Sequence, residues 1–482
     1  MAKVVIIGAG LGGLQCGFIL AKNGYDVVVL EKGRQAGGCL QTFKRAGSVF
    51  DTGFHYVGGL GEGEVLRWIF DYYGLMGLDW RQMNPECVDE IHIAERVFPL
   101  PSGYERFIDI LSGYFPSQRE GLRKYIAQLK AVGSGIRSGF GSGESMKLFG
   151  VSAYDFLCDC ISDELLRKVL SGASLRLQYD ADTLPLYVYA QIHNSFIQSG
   201  WRLQGGGDAI ASHLAADIVR FGGCVVTDAE VVSLEEADGK IVAAVCADGS
   251  RYGADIFISD VHPAVTLDWL RDSKLVKNIY RRRISSLTNS YGVFTVNVKL
   301  KPGVLPYRDS NVYLHSSDAD VWHSTGRSYM IYYPVPEDDG SFADRIDIIT
   351  RMDWSDVEKY LGSRPMLRGE EYETFKQEFA SRCLSDVIAH LPDLGNAIDR
   401  YFTSTSLTYS DYTSTLHGSA FGIMKDYNSP LTTVLSPRTP VENLLLTGQN
   451  LNLHGILGTS MTSLYTTAQL LGMDKIKEEF KI

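Results

Sequence analysis

The sequence predicts an α/β fold in which one parallel-sheet domain is assembled from three separate chain segments, with an inserted α+β domain. Three observations carry this prediction. The chain opens with a strand, a glycine turn, a helix and a second strand. Short apolar strands recur between positions 221 and 258, and a further one spans Asn443 to Thr447. Because these segments lie far apart in the chain, the residues between them are expected to form a second domain.

The opening of the chain has the pattern of one strand–helix–strand unit. Val4 to Ile7 is continuously apolar and β-branched, as in a parallel strand that is buried on both faces. The stretch from Leu14 to Asn23 has the apolar spacing of a helix, and Gly24 ends it. A second strand, Asp26 to Leu30, stops at Glu31. This order is typical of the first unit of a Rossmann-type domain.

Three glycines at the strand-to-helix junction, Gly8, Gly10 and Gly13, form a G-x-G-x-x-G pattern. Gly8 permits a tight turn, Gly10 lets the backbone approach a pyrophosphate, and Gly13 lets the helix pack closely on the strand. The helix N-terminus offers N–H groups and a partial positive charge to the phosphates. Glu31 lies 18 residues after Gly13, where its carboxylate can accept bonds from ribose hydroxyls and would repel a 2′-phosphate. The pattern predicts bound FAD or NAD, and not NADP; a glycine turn without a ligand is the alternative.

The composition excludes several classes of protein. The 482 residues carry 46 Lys and Arg against 57 Asp and Glu, and this net charge of −11 argues against nucleic-acid binding. No uncharged apolar run approaches about 18 residues, and the N-terminal run is too short for a secretory signal. The 8 cysteines are scattered without C-x-x-C spacing, which favours reduced thiols in a cytoplasmic protein and no metal site.

The two inserted regions differ in pattern. We expect the dinucleotide-binding domain to comprise residues 1–70, 200–270 and 425–482, and the substrate domain to comprise residues 71–199 and 271–424. The first insertion is mostly helical in pattern, and the second alternates as strands do. Within the first, Val132 to Ser145 is rich in Gly and Ser, which predicts a flexible loop, or alternatively a mobile lid.

Further motifs carry a family resemblance. Phe-Asp-Thr-Gly-x-His-Tyr at Phe50 to Tyr56 and Leu-Thr-Gly-Gln at Leu446 to Gln449 are close to the forms found in retinol saturases. Gln35 to Gly38 and Gln204 to Gly207 also match the pattern. The chain resembles the FAD-dependent carotenoid desaturase, carotenoid isomerase and retinol saturase group, within the amine-oxidase-type flavoprotein superfamily. The resemblance spans nearly the whole chain and implies a Rossmann-type FAD-binding domain with an inserted α+β substrate domain.

The resemblance also implies which residues hold the cofactor, and that FAD is bound non-covalently. The residues implied to bind it are Gly8, Gly10, Gly13, Glu31, Lys32, Gly37, Gly38, Gly53, Phe54, His55, Val231, Gly448, Gln449, Ile456, Leu457 and Gly458. The last three are implied to direct backbone N–H groups at the flavin N1–C2=O edge, where a helix dipole stabilises negative charge. His55 and Tyr56 are the flavin-adjacent candidates for catalysis, and the catalytic residue itself stays open.

Two positions depart from the superfamily pattern. The arginine that often follows the Gly-Gly pair is Cys39, so one contact to the diphosphate is missing. The strand-end acid that usually binds the ribityl hydroxyls is Gln449, which can still donate and accept. Gln449 also occurs in the retinol saturase branch and favours it.

The resemblance implies hydride transfer at flavin N5 to or from a carbon–carbon bond of a polyene, retinoid or carotenoid-like isoprenoid. Saturation, desaturation and isomerisation stay open, with the first and last favoured by the motifs. Such a substrate requires a long apolar pocket, which Tyr401, Tyr409, Tyr412 and Tyr427 could line.

The expected partners are this apolar substrate, an electron donor or acceptor of unknown identity, and the surface of the inner membrane, contacted peripherally through the helical insertion. A flavin amine oxidase or related oxidase is the alternative function. A flavin-binding partner protein without activity is a further one.

Overall fold

The computed structural model of the chain describes residues 2–93, 95–138, 145–337 and 340–481. In chain order, the strands are β1 (Lys3–Ile7), β2 (Asp26–Leu30), β3 (Thr42–Arg45), β4 (Ser48–Asp51), β5 (Val57–Gly58), β6 (Trp80–Gln82), β7 (Asp89–Ile93), β8 (Arg96–Leu100), β9 (Gly200–Leu203), β10 (Cys224–Val226), β11 (Val231–Ala237), β12 (Lys240–Cys246), β13 (Arg251–Gly253), β14 (Ile256–Ser259), β15 (Gly292–Leu300), β16 (Asn311–His315), β17 (Ser328–Tyr332), β18 (Arg345–Met352), β19 (Ile398–Ser404) and β20 (Leu444–Leu446).

The helices are α1 (Leu11–Lys22), α2 (Arg67–Tyr72), α3 (Tyr104–Tyr114), α4 (Arg119–Ser138), α5 (Ser145–Leu148), α6 (Ala153–Cys160), α7 (Glu164–Leu170), α8 (Leu186–Gln198), α9 (Asp208–Arg220), α10 (Pro263–Asp268), α11 (Asn278–Ser285), α12 (Glu370–His390), α13 (Asp393–Ala397), α14 (Ser406–Thr413), α15 (Pro430–Thr433), α16 (Gly455–Leu471) and α17 (Met473–Phe480). None of those within the described ranges is long and apolar enough to cross a membrane.

A five-stranded parallel sheet joins three distant parts of the chain. Its order is β10-β2-β1-β14-β20, so the first strand pairs with β2 from its own unit and with β14 from the middle of the chain. The strand β20 completes the edge beside β14. All four pairings are parallel, which brings the carboxyl ends of the strands to one edge. The predicted α/β fold with its three-segment Rossmann-type domain is confirmed; the exact domain limits stay a prediction.

Both faces of this sheet are covered, which explains why its strands lack polar alternation. Val4 and Ile6 pack with α1, α9 and α16 on one face. Val5 and Ile7 pack on the other face with β11, β12 and the segment around α10. Adjacent residues of one strand thus serve two separate hydrophobic cores.

A seven-stranded sheet forms the second half of the molecule, in the order β19-β15-β18-β17-β16-β7-β8. Its central strands β15 and β18 pair antiparallel over eight residue pairs. The helices α3 to α8 pack on one face of this sheet, and α12 packs on the other. The sheet therefore combines strands from both inserted regions.

The first insertion is mostly helical, as expected, and it also supplies the short strands β6, β7 and β8. One expectation for it needs correction. The loop predicted from Val132 is wrong as far as Ser138, because α4 continues to that residue. Val132 is buried, and a side chain at Gly133 would overlap Asn194 of α8, so this glycine allows two helices to approach closely. Residues 139–144 of the predicted loop lie outside the described residues.

Candidate functional site

A continuous cavity of about 810 Å³ runs along the carboxyl edge of the parallel sheet and continues toward the seven-stranded sheet. Gly8 follows β1, Glu31 follows β2, Asp260 follows β14 and Gln449 lies shortly after β20; all four line the cavity. Ligands of open α/β sheets bind at this edge. The volume is that of a site for a whole cofactor or drug-sized ligand.

Most of the residues implied by the family resemblance line this one cavity. Gly13, Gly448 and Gly458 do not. A side chain at Gly13 would overlap the carbonyl oxygen of Gly8, and one at Gly458 would overlap that of Leu453. These two glycines therefore keep neighbouring backbone segments together. The remaining predicted residues, His55 and Tyr56 included, form the cavity wall.

The glycine loop brings Gly8, Gly10 and Gly12 to the wall of the cavity at the start of α1. Gly8 has φ +98° and Gly37 has φ +122°, conformations that other residues rarely adopt. Gly10 precedes α1 as its N-cap and supplies no side-chain cap to the helix. The N–H of Gly37 donates to the carbonyl of Ala9 at 2.7 Å, which fixes the second glycine pair against the loop. The arrangement matches an anion cradle at a helix N-terminus.

Glu31 is held in place by this loop. The Ala9 N–H donates to its Oε2 at 3.0 Å, and the Gly33 N–H donates to its Oε1 at 2.8 Å. The residue is 8% exposed and borders the cavity. A carboxylate has about four acceptor positions, so two remain for hydroxyl donors of a ligand. Beyond it, the half-exposed Val232 and Tyr412 mark the outer end of the cavity.

Asp260 is a site residue that the sequence patterns did not reveal. Its carboxylate faces the glycine loop: a Cβ at Gly10 would stand 2.6 Å from Oδ2, and one at Gly12 or Gly448 would overlap Oδ1. Burial raises its pKa to about 7, the Gly13 N–H lowers the pKa by donating to it, and Glu31 raises it further. This carboxylate therefore occupies the side of the cradle that phosphates would approach.

A second helix N-terminus faces the inner part of the cavity. The helix α16 begins after His454, which gives no side-chain hydrogen bond to the first turn. Ile456 and Leu457 of this turn line the cavity, as does Gln449. Backbone N–H groups without a cap at this end favour a partial negative charge on a bound group.

The inner end contains the two catalytic candidates. His55 packs edge-on against the ring of Tyr332 with centroids 5.0 Å apart, and burial lowers its pKa to about 4, so it is neutral at pH 7. The hydroxyl of Tyr56 donates to Asp89 at 3.0 Å and accepts from Arg176 Nε at 2.7 Å. Both Tyr56 and His55 therefore present fixed ring surfaces rather than charges.

Behind Tyr56 lies a buried ion pair between Arg176 and Asp89, whose side chains are 7% and 1% exposed. Asn311 Nδ2 donates to the same carboxylate at 2.9 Å, and the hydroxyls of Tyr313 and Tyr56 are 3.0 Å apart. The pair joins the turn after α7 to the seven-stranded sheet. Sequence periodicity carries no signal for it, since its members are 87 residues apart in the chain.

Apolar side chains form most of the wall at this end: Leu175, Ile192, Phe196, Val293, Met330 and Ile349. Of the tyrosines proposed for this wall, Tyr409 and Tyr412 line the cavity, whereas Tyr401 and Tyr427 do not. Within the described residues, no group of three or more His, Cys, Asp or Glu could hold a metal ion.

Comparisons with known proteins agree with this geometry. Residues 6–73 match the model of the NAD(P)-binding Rossmann-like domain. The chain is 26% identical to all-trans-retinol 13,14-reductase of Homo sapiens, over 97% of this chain and 85% of that one. It is 25% identical to prolycopene isomerase 2, chloroplastic, of an Oncidium hybrid cultivar, over 60% of this chain and 54% of that one.

Among solved structures, a triple mutant of putrescine oxidase aligns over 98% of each chain with a TM-score of 0.65 and 14% identity, which shows a shared fold. The predicted oxidoreductase class and the predicted resemblance are both confirmed. This chain is similar over almost its whole length to the retinol 13,14-reductases, and over part of it to a carotenoid isomerase.

Proposed function

We propose that the protein is an FAD-dependent oxidoreductase that acts on a carbon–carbon bond of a polyene or other isoprenoid lipid. The single observation that carries this proposal is the continuity of the cavity: a dinucleotide cradle at one end opens directly into an apolar chamber at the other. The names of the retinol reductase and carotenoid isomerase relatives support the substrate class.

The residues present fit FAD. The first turns of α1 and α16, to which the N-cap residues Gly10 and His454 give no side-chain hydrogen bond, lie along one cavity, which suits a ligand with a diphosphate and a distant electron-rich ring. Gly10, Glu31 and Val231 would hold the adenosine diphosphate half, and Gln449, Ile456 and Leu457 the flavin half. Burial raises the pKa of the Cys39 thiol, which favours non-covalent binding because the thiol stays protonated. When bound, FAD supplies reversible hydride exchange at N5.

The residues of the protein would position an uncharged substrate and exclude water from it. Met330, Ile349 and Phe196 offer dispersion contacts and no charge, which suits a substrate without a polar handle. His55 and Tyr56 line the cavity at this end, and their neutral rings would orient the reacting bond. The buried Arg176–Asp89 pair fixes the Tyr56 ring from behind.

The same wall disfavours the amine oxidase alternative. A carboxylate stabilises an ammonium substrate, and the acids of the described residues that line the cavity, Glu31, Glu230, Asp260 and Asp268, belong to its dinucleotide end. At the inner end the wall presents Arg176, whose charge is already paired with Asp89.

The proposed function also requires an electron donor or acceptor, and we propose that the protein contacts a membrane surface peripherally. Within the first insertion, Tyr114, Met146 and Val151 are 44%, 36% and 41% exposed, which supports peripheral contact with lipid by apolar side chains. Flotation with phosphatidylcholine vesicles tests this part. Recovery of all the protein in the lipid-free fraction would contradict it.

The function is tested with protein reconstituted with FAD, photoreduced without oxygen and mixed with all-trans-retinol or a lycopene-type polyene. We expect reoxidation of the flavin absorbance together with a shifted polyene spectrum. If neither a polyene nor its saturated counterpart changes the flavin's redox state, the substrate class is wrong. Rapid hydrogen peroxide formation with putrescine would support the amine oxidase alternative instead.

A matched pair of variants links the reaction to the chamber. Val293→Trp fills the inner end of the cavity, and Val304→Trp adds the same bulk at a site that is 44% exposed and outside it. We expect the first variant to bind FAD and lose polyene turnover. The second should keep both.

A further inference from the structure

Lys425 is a buried cation outside the chemistry described so far. The residue is 7% exposed, and its Nζ donates to the carbonyl oxygen of Asn450 at 2.8 Å. In the part of the chain that the structure describes, no carboxylate lies within ion-pair distance of it, and burial alone lowers its pKa to about 7. An ammonium that is removed from water without an anion is costly, so native proteins supply a counter-charge.

Among the described residues, the surroundings of Lys425 contain no such counter-charge. Its titratable neighbours are His262 and His454, and burial lowers the pKa of each to about 4, so both are neutral at pH 7. Nε2 of His262 lies 3.0 Å from Oδ1 of Asn289, and Nε2 of His454 donates to the carbonyl of Arg176 at 3.0 Å. These contacts satisfy the imidazoles and leave the ammonium's charge unbalanced.

A small cavity of about 20 Å³ lies between Lys425 and residues of the main site. Its wall contains Lys425, Gln449, His454 and Phe421, and the last three also line the main cavity at its inner end. Such a volume holds one water with several polar partners. The glycine loop takes no part in this wall, so the charge faces the ring end of the site and not the phosphate cradle.

We propose that Lys425 supplies the positive charge that balances the reduced flavin. This inference rests on the proposed function, since a flavin that has accepted a hydride carries a negative charge on its pyrimidine ring. The helix start at α16 offers only a partial charge there. In its protonated form Lys425 adds a full charge, and in low-dielectric surroundings a charge acts more strongly than in water. Lys425 therefore acts by stabilising negative charge on the cofactor, and it does not contact the reacting bond.

The test measures the flavin's midpoint potential in reconstituted protein, by photoreduction against a reference dye. Lys425→Gln keeps a donor for Asn450 and removes the charge, whereas Lys425→Arg keeps both. Lys475→Gln, at a side chain that is 43% exposed, is the surface control. We expect the first variant to lower the ratio of reduced to oxidised flavin at a fixed potential at least tenfold, about 30 mV for a two-electron couple. The Arg variant and the control should stay within threefold of the wild type.

The outcomes separate this inference from the proposed function. Equal potentials in the wild type and Lys425→Gln, with FAD bound to both, would overturn the inference alone and leave Lys425 as a tether for Asn450. A shifted potential in protein that never reacts with a polyene would support the inference and overturn the substrate class. Protein that takes up no FAD would overturn both. If Lys425→Gln does not fold, Lys425→Met gives the same comparison with an apolar side chain that suits the buried position.

Discussion

We expect the affinity for the cofactor to depend on pH because of Asp260. Its carboxylate faces the glycine loop beside Glu31, and burial raises its pKa to about 7. Two unit negative charges about 4 Å apart at a partly exposed protein site repel by about 4 kcal/mol. Protonating a group with a pKa of 7 at pH 8 costs only about 1.4 kcal/mol. Binding of a pyrophosphate should therefore proceed with Asp260 protonated.

The magnitude follows from the protonated fraction. This fraction falls from about 90% at pH 6 to about 10% at pH 8, so FAD should bind about tenfold more weakly at the higher pH, a loss of about 1.4 kcal/mol. The nearby thiols do not titrate in this range, because burial raises the pKa of Cys16 to about 12 and that of Cys39 as well. Asp260→Asn should bind FAD more tightly at pH 8 and show a much weaker dependence between pH 6 and 8, where Lys425 at the ring end is the remaining group near the site with a pKa of about 7.

The assay is a titration of apoprotein with FAD, followed by flavin fluorescence at pH 6, 7 and 8. Asp399→Asn, on strand β19 and away from the cavity, controls for the loss of one negative charge. A dissociation constant that is unchanged between pH 6 and 8 in the wild type would refute the reasoning. So would the same pH dependence in wild type and Asp260→Asn.

Two further predictions concern the cradle and the buried pair. A Cβ at Gly13 would overlap the carbonyl of Gly8, whereas one at Gly10 would meet only the Asp260 side chain, at 2.6 Å. Gly13→Ala should therefore lower the melting temperature of the apoprotein, and Gly10→Ala should keep it while abolishing FAD binding; similar melting temperatures for both variants would contradict this. Asp89→Asn leaves an unpaired buried guanidinium and should cost about 3–5 kcal/mol of unfolding free energy in urea denaturation. A loss below about 1 kcal/mol would mean that water already compensates this charge.

The sequence predicted those features whose signal is local. Val4 to Ile7, the glycine pattern and Glu31 act within one strand–helix–strand unit, and all of them stand where the pattern indicated. Gly133 shows where local signals fail. This glycine allows α4 and α8 to approach each other, and the sequence alone does not distinguish it from a glycine in a loop. Gly12 is similar, because the close approach of Asp260 and Gly448 to this glycine has no signal in the sequence.

The residues that periodicity did not reveal owe their properties to partners far away in the chain. Asp260 could have been found from its position directly after a strand of the parallel sheet, the same position that singles out Glu31. Lys425 and Arg176 offer no such signal. The charge of each matters because the surrounding fold removes it from water, and burial depends on the packing of elements from three segments.

The order of strands in the parallel sheet has a consequence for biosynthesis. Strand β1 needs β14 beside it, and β14 needs β20, which ends at Leu446. At about 5–20 residues per second, a ribosome takes roughly 20–90 s to reach that point. Throughout this interval the nascent chain holds an open sheet edge, a surface prone to aggregation and in need of chaperones. The chain is therefore expected to bind the cofactor only after strand β20 has been synthesised.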